Sequence, residues 1–314
     1  MRLLFTSAGR RVELMQAFRD AAARLGVSLE IFGTDISDTA PALFFCDKAV
    51  ISPRISDESY IPFLKKLCLD NEIGALIPTI DTDLLVLAKN RTGFGNTKVV
   101  VSGEKEIALC RDKLLTAGFF RTVGLKTPTP CDDYRVYDGG YPAFIKPKDG
   151  SSGIHTYKVN NAGELKAYAG EVPNYIVAPF IDGTEYTVDA FCGFDGRPVC
   201  ITPRIRLAVR AGEVLKTQIA QDERIIEETK RIIESFKPCG AVTVQLIRQN
   251  GTGDDYYIEI NPRFGGGAPL SIKAGADSAE ALLRILSGET LAYRERAAED
   301  GAVFSRFDQS VRVK

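Results

Sequence analysis

Three stretches of the sequence concentrate residue types that handle phosphate and divalent cations. The first is Pro142-Ala-Phe-Ile-Lys-Pro-Lys-Asp-Gly-Ser-Ser-Gly153. Ala143–Pro147 reads as a strand, and Lys146 and Lys148 project from one face of it because strand side chains alternate. The loop Asp149-Gly150-Ser151-Ser152-Gly153 then offers backbone N–H groups that small side chains leave open to phosphate oxygens. Lys146, Lys148, Ser151, Ser152 and Gly153 are therefore candidate contacts to a nucleoside triphosphate; an ordinary hairpin with exposed lysines would give the same pattern. His155, the single histidine, follows the loop and reads as a flap or surface residue.

The second stretch is a pair of strands, Thr243–Arg248 and Tyr256–Asn261, joined by a polar turn containing glycine. Alternation sends Tyr256, Ile258 and Ile260 toward a core and Tyr257, Glu259 and Asn261 the other way. With the turn centred near Thr252, Gln245 lies opposite Glu259. Oxygens of Gln245, Glu259 and Asn261 then share one face, and hard oxygen ligands with few fixed charges suit Mg²⁺, which keeps waters and shares substrate phosphates. Arg263 at the strand end could neutralise a transferring phosphoryl group, and Gly265-Gly266-Gly267 lets backbone approach a substrate. A hairpin with a solvated polar face explains the alternation but not the clustering at one end.

The third stretch, Tyr175-Ile-Val-Ala-Pro-Phe-Ile-Asp-Gly-Thr-Glu185, is an apolar strand, a turn and a returning strand. Adenine needs one carbonyl and one backbone N–H in an apolar slot, which Ala178 and Ile181 can supply beside Phe180. Glu185 can accept from ribose hydroxyls, with Thr187 and Asp189 on its face; read alone, the segment is an ordinary hairpin. Two further sites are candidate substrate contacts. Ser7 and Arg10 lie in the Thr6-Ser7-Ala8-Gly9 turn between a strand and a helix, where an anion can be held, although a tight turn explains Gly9 equally. Thr79, Asp81 and Asp83 follow the fourth strand, where open α/β sheets collect ligands, but either aspartate could simply cap the next helix.

The elements that must position these groups alternate strand and helix over roughly the first hundred residues, which predicts a doubly wound parallel sheet. A single helix is expected over Lys105–Val123, and strands dominate after the Thr127–Pro130 break. Over Ala302–Val313 an edge strand or hairpin is expected. The 314 residues allow two or three compact units, and a net charge of −1 argues against a nucleic-acid partner. Seven dispersed cysteines without a CxxC pair, beside one histidine, argue against structural zinc and fit reduced thiols. No segment reads as a signal peptide or reaches membrane-spanning length, so a cytoplasmic protein is expected, with no membrane partner.

Taken together, these features resemble the ATP-grasp superfamily, in particular one synthetase unit of the carbamoyl-phosphate synthase large subunit and related carboxylate–amine ligases. The motif Gln245…Glu259-x-Asn261-x-Arg263 carries the likeness most specifically. The resemblance implies a pre-ATP-grasp domain over 1–105 and an ATP-grasp domain over 106–314, divided into a flap subdomain (about 117–182) and a metal-binding subdomain (183–314). It implies ATP contacts from Lys113, Lys146, Ala178, Ile181 and Glu185, and magnesium ligation by Glu259, Asn261 and Gln245. Two Mg²⁺ are expected, with Mn²⁺ as a substitute. It makes Arg263 and Lys146 catalytic, with Arg206 and Lys216 as looser candidates in the region holding γ-phosphate or the acceptor. Ser7, Arg10, Thr79, Asp81, Asp83, Gly265 and Gly266 would face a small-molecule carboxylate and amine. Two chains could pair as a homodimer. Lysine at 113 and 146 departs from the arginine of many carbamoyl-phosphate synthases, and a single unit excludes a complete one. An auxiliary subunit that acts only with partner chains is the alternative. A nicotinamide oxidoreductase is remote because GxGxxG is missing.

Overall fold

The computed structural model describes residues 1–149 and 154–313. Its first unit is a parallel sheet of β1 (Arg2–Thr6), β2 (Glu30–Asp35), β3 (Lys48–Ile51), β4 (Ala75–Pro78) and β5 (Lys98–Val99), in the order β3-β2-β1-β4-β5. Helix α1 (Val12–Leu25) packs on one face, and α2 (Tyr60–Asp70) with α3 (Asp81–Asn90) on the other. Alternation along β1 sorts the two cores: Leu3 and Phe5 face α1, whereas Leu4 faces α2 and α3. This is the doubly wound sheet expected from the pattern. The strand order reverses between β1 and β4, and a crevice opens there at the carboxyl ends of the strands.

The helix expected over Lys105–Val123 is two helices, α4 (Glu104–Arg111) and α5 (Lys113–Thr122). Asp112 breaks it, because its carboxylate accepts from Leu114 N (2.8 Å) and Leu115 N (3.3 Å) and caps α5. A small antiparallel sheet follows, from β6 (Ala143–Pro147), β7 (Tyr157–Val159) and β8 (Tyr175–Pro179), ordered β7-β6-β8 and covered by α6 (Ala162–Glu171).

The third sheet is built from β9 (Gly183–Cys192), β10 (Pro198–Arg210) and β11 (Glu213–Ile219), then, after α7 (Glu223–Phe236), β12 (Gly240–Gln249) and β13 (Asp255–Asn261). Helices α8 (Ala268–Lys273) and α9 (Ser278–Leu286) lead to β14 (Val303–Ser305), which joins the β11 edge; only three residues of the expected C-terminal strand pair there. The strand order is β13-β12-β9-β10-β11-β14. One face, with Tyr186, Val188, Val242 and Val244, packs on α5 and α7. The other presents Asp189, Arg204, Thr243 and Gln245 toward the first unit.

A continuous core joins the two units. Phe5 meets Phe18 at 5.3 Å between ring centroids, Phe18 meets Phe264 at 5.8 Å, and Phe264 meets Phe191 at 6.2 Å. Phe264 follows Arg263 directly, so this aromatic chain seats the candidate motif against both units. At the centre of the third sheet, Arg204 Nε and Asp189 Oδ2 form an ion pair at 2.8 Å, with 2 % and 9 % of the two residues exposed. Ser271 Oγ donates to the same carboxylate oxygen at 2.7 Å. Arg204 already carries one buried group, Nη1, without a partner among the described residues. Removing the carboxylate would strand a buried charge that has little else to bind. Asp189→Ala is expected to destabilise the protein by about 3–5 kcal/mol, read as the shift in a urea unfolding curve.

Candidate active site

The β12–β13 hairpin sets Gln245 directly opposite Glu259, as the turn length requires. A β-bulge between Gln245 and Leu246 on the ladder then shifts the register, because Leu246 pairs with Tyr257 rather than Ile258. Tyr257 was expected on the face of Glu259. The bulge instead turns it into the core with Ile260, fully buried, its hydroxyl donating to Glu228 Oε2 at 2.9 Å. Beyond the bulge Glu259 keeps the polar face. Asn261 Nδ2 donates to Glu259 Oε1 at 2.9 Å, which leaves the amide oxygen as an acceptor.

Lysines from two other elements converge on this carboxylate. Lys146 comes from β6, and Lys113 is the first residue of α5, at the break made by Asp112. Burial pushes the Lys146 ammonium down to about 8, against the attraction of Glu259 and with the help of repulsion from Lys113. Burial also lowers Lys113, and Glu259 is the strongest opposing charge. The end of β6 clasps the start of α5: Lys113 N and Nζ both donate to Lys148 O at 3.2 Å, and Lys148 Nζ lies 3.3 Å from Asp112 Oδ2. Asp112 therefore ties the start of α5, with Lys113, to Lys148 at the end of β6, a role that its capping position signals only once the helix break is known. Ser151, Ser152 and Gly153 lie outside the described residues.

Glu185 and Gln245 are bridged by Arg206, whose Nη1 is 3.4 Å from Glu185 Oε2 and 3.3 Å from Gln245 Oε1. Its Nη2 donates to Gly212 O at 2.9 Å and ties down the β10–β11 hairpin tip. Lys216 is exposed on β11 opposite Ala208 and takes part in none of these contacts. Ala178 and Ile181 are each 9 % exposed beside Phe180. Phe144, opposite Ala178 on β6, lies 6.2 Å from the Phe180 ring, and Lys158 Nζ sits 4.0 Å over that ring. Phe144 and Lys158 thus join Phe180 beside Ala178 and Ile181 in an apolar face with a cation over one ring, and spacing alone did not mark them.

At the β1–β4 crevice, Asp83 is fully buried and accepts from Thr6 Oγ1 (2.7 Å), Ser7 Oγ (2.9 Å) and Tyr60 OH (3.1 Å). Thr79, also fully buried, donates from its hydroxyl to Ser7 O at 2.7 Å. Both hold the turn at Ser7 in its left-handed conformation (φ 50°) and have no surface for a substrate. Asp81 does reach the cluster: it binds Arg263 through Nε–Oδ1 at 2.8 Å and Nη2–Oδ2 at 2.6 Å. Arg10 is exposed, whereas its neighbour Arg11 turns inward toward Arg263, Asp81 and Glu213. The glycine turn packs on protein rather than standing open. A Cβ at Gly265 would lie 2.7 Å from Thr243 Oγ1, and one at Gly267 would clash with the Arg204 guanidinium.

No group of three or more His, Cys, Asp or Glu side chains that could hold a metal gathers among the described residues. Glu259, Asn261 and Gln245 supply one charge and neutral oxygens. That set suits a hard cation which completes its shell with water and phosphate. Two partly desolvated lysines beside this carboxylate form a cationic face that attracts a polyphosphate. The sign of its pH dependence follows from Lys146: phosphate is attracted only while the ammonium keeps its proton. Affinity for tripolyphosphate, measured by isothermal titration calorimetry, should fall roughly tenfold between about pH 7 and about pH 9. Lys146→Met should bind weakly and lose most of that pH dependence.

Comparison with known proteins places both units in known families and shows the same overall fold. Residues 3–102 match the family described as PylC-like, N-terminal domain, and residues 110–267 match the ATP-grasp domain. A carbamoyl-phosphate synthase from Methanobrevibacter smithii is 23% identical over 282 residues, covering 83% of this chain and 75% of that protein. Among solved structures, N5-carboxyaminoimidazole synthetase from Staphylococcus aureus, complexed with ADP, superposes with a TM-score of 0.75 at 16% identity, over 93% of this chain and 78% of that one. The L-amino acid ligase from Bacillus licheniformis gives 0.71 at 20% identity, over 91% and 74%. No helix among the described residues is long and apolar enough to cross a membrane. The family match spans half of the chain and contains the lysines, the slot and the β12–β13 motif, and on that basis the chain belongs to the ATP-grasp family.

Proposed function

We propose that the chain is an ATP- and Mg²⁺-dependent ligase that joins a small-molecule carboxylate to an amine or ammonia through an acyl phosphate. The observation that carries this reading is the convergence of Lys113 and Lys146, from separate elements, on Glu259 of the Gln245–Glu259–Asn261 oxygen face. The relatives add support, since one of them was solved with ADP and another is named an amino acid ligase.

In this reading the base of ATP lies in the slot of Phe144, Ala178, Phe180 and Ile181, and Glu185 receives the ribose hydroxyls. Lys113 and Lys146 take the phosphates, with Lys148 beside them at the end of β6. Glu259, Asn261 and Gln245 would hold magnesium, which supplies charge neutralisation on the transferring phosphoryl group. Arg263, oriented by Asp81, stabilises negative charge on the acyl phosphate. Catalysis then comes from positioning and charge stabilisation, and closing the site keeps water from the activated acid.

The test is ADP release in the presence of magnesium across a panel of amino acids and small carboxylates, each with and without an amine. One or more carboxylates should stimulate release, and Glu259→Ala should reduce the stimulated rate by about a hundredfold or more. Unchanged turnover in that variant would remove Glu259 from the metal site. No stimulation by any pair would count against the ligase reading.

A further inference from the structure

Beside Arg263 the structure holds a second cationic pair. Arg11, from the loop before α1, and Arg306, from the segment after β14, lie close enough to repel. Arg306 also has its Nε 3.4 Å from Glu13 Oε2 and donates from Nη1 to Val214 O at 3.3 Å. Between the two arginines stands Glu213, the first residue of β11 at the tip of the β10–β11 hairpin. Its Oε1 is 3.6 Å from Arg11 Nη1 and its Oε2 is 3.8 Å from Arg306 Nη1. Both separations lie beyond hydrogen-bond length, so the carboxylate is held by charge alone.

Arg11 is the unusual member. Its side chain is only 20% exposed, yet among the described residues its guanidinium makes no hydrogen bond, and Glu213 is its one ion pair. A partly desolvated guanidinium has five N–H groups to satisfy, and leaving them unmade is costly. Glu213 is by contrast 49% exposed and sits on a two-residue turn, Ala211-Gly212, that takes left-handed φ values of 48° and 79°. Its carboxylate also lies against the Gly266 backbone, in the space a Cβ would fill. The glycine turn that follows Arg263 therefore leaves room for a carboxylate at this spot, and the one present is loosely seated.

We propose that Arg11 and Arg306 bind a second, non-reacting carboxylate of the acceptor substrate, and that Glu213 holds its place in the unliganded chain. The inference rests on the ligase reading only for the word acceptor; the cradle itself is a matter of binding. It makes the substrate a dicarboxylate or an acidic amino acid. Binding exchanges Glu213 for a substrate group that can reach hydrogen-bond distance of Arg11, and the half-exposed Glu213 side chain turns out to solvent while the hairpin backbone stays tied to Arg206.

The test is isothermal titration of the full chain with glutarate and, as a one-charge control, butyrate. Glutarate should bind Glu213→Gln roughly tenfold more tightly than the unaltered chain, because no carboxylate has to be displaced. Arg11→Met and, independently, Arg306→Met should weaken glutarate by about tenfold or more, and butyrate should stay equally weak throughout. Equal gains for butyrate in Glu213→Gln would show a general charge effect and overturn the cradle, as would glutarate affinity indifferent to both arginines. Thermal unfolding of each variant identifies any that fails to fold, and the remaining arginine variant then decides. Glutarate binding without ADP release from any substrate would reject the ligase reading alone, while ADP release with neutral acids, insensitive to Arg11→Met, would reject the cradle alone.

Discussion

The bidentate pair between Asp81 and Arg263 is the contact on which the geometry of the site depends. Asp81 begins α3 at the carboxyl end of the parallel sheet, and Arg263 lies two residues beyond the strand that carries Glu259 and Asn261. Two parallel N–H···O bonds fix direction as well as distance, which a single lysine contact would not. The pair is only partly exposed and is backed by the Phe5–Phe18–Phe264–Phe191 chain, so the two units are held together by packing and aligned by charge. Everything that must meet a substrate is referred to this joint. The Ser7 turn and Arg11 lie on one side of it, and the glycine turn and the oxygen face lie on the other.

Around the joint the charge is arranged out of balance. Lys146 faces Glu259 as its one opposing charge, and the Arg11 guanidinium has Glu213 alone as an ion-pair partner among the described residues, beyond hydrogen-bond length. Where a pair has only to hold the fold, the chain does better. Asp189 receives Arg204 and Ser271, and Asp83 receives three hydroxyls. Well-satisfied carboxylates stabilise the scaffold, whereas a partly desolvated cation such as Lys146 or Arg11 leaves favourable energy for an incoming anion. That contrast separates structural from ligand-facing charge more sharply than residue type does.

Much of the site was legible in the residues. The hairpin between Gln245 and Glu259 is short, so turn length sets its register, and the period of two places both side chains on one face. Lys146 on β6 and the parallel, doubly wound sheet of the first unit follow from equally local rules. Local rules fail where a single residue changes the register. The bulge after Gln245 sends Tyr257 into the core, and the cap at Asp112 cuts one helix into two and brings Lys113 to the β6 end.

What the sequence determined by itself was the set of chemical groups and the strands that carry them, because alternation and turn length act over a few residues. Which groups are spent within the protein was decided only by tertiary structure. Asp83 and Thr79 are consumed in bracing the Ser7 turn, and Arg11 rather than Arg10 faces the crevice. Those choices depend on groups up to 182 positions apart, as between Asp81 and Arg263, and desolvation sets their electrostatics. Neither distance across the fold nor access to water is encoded in the spacing of neighbours along the chain.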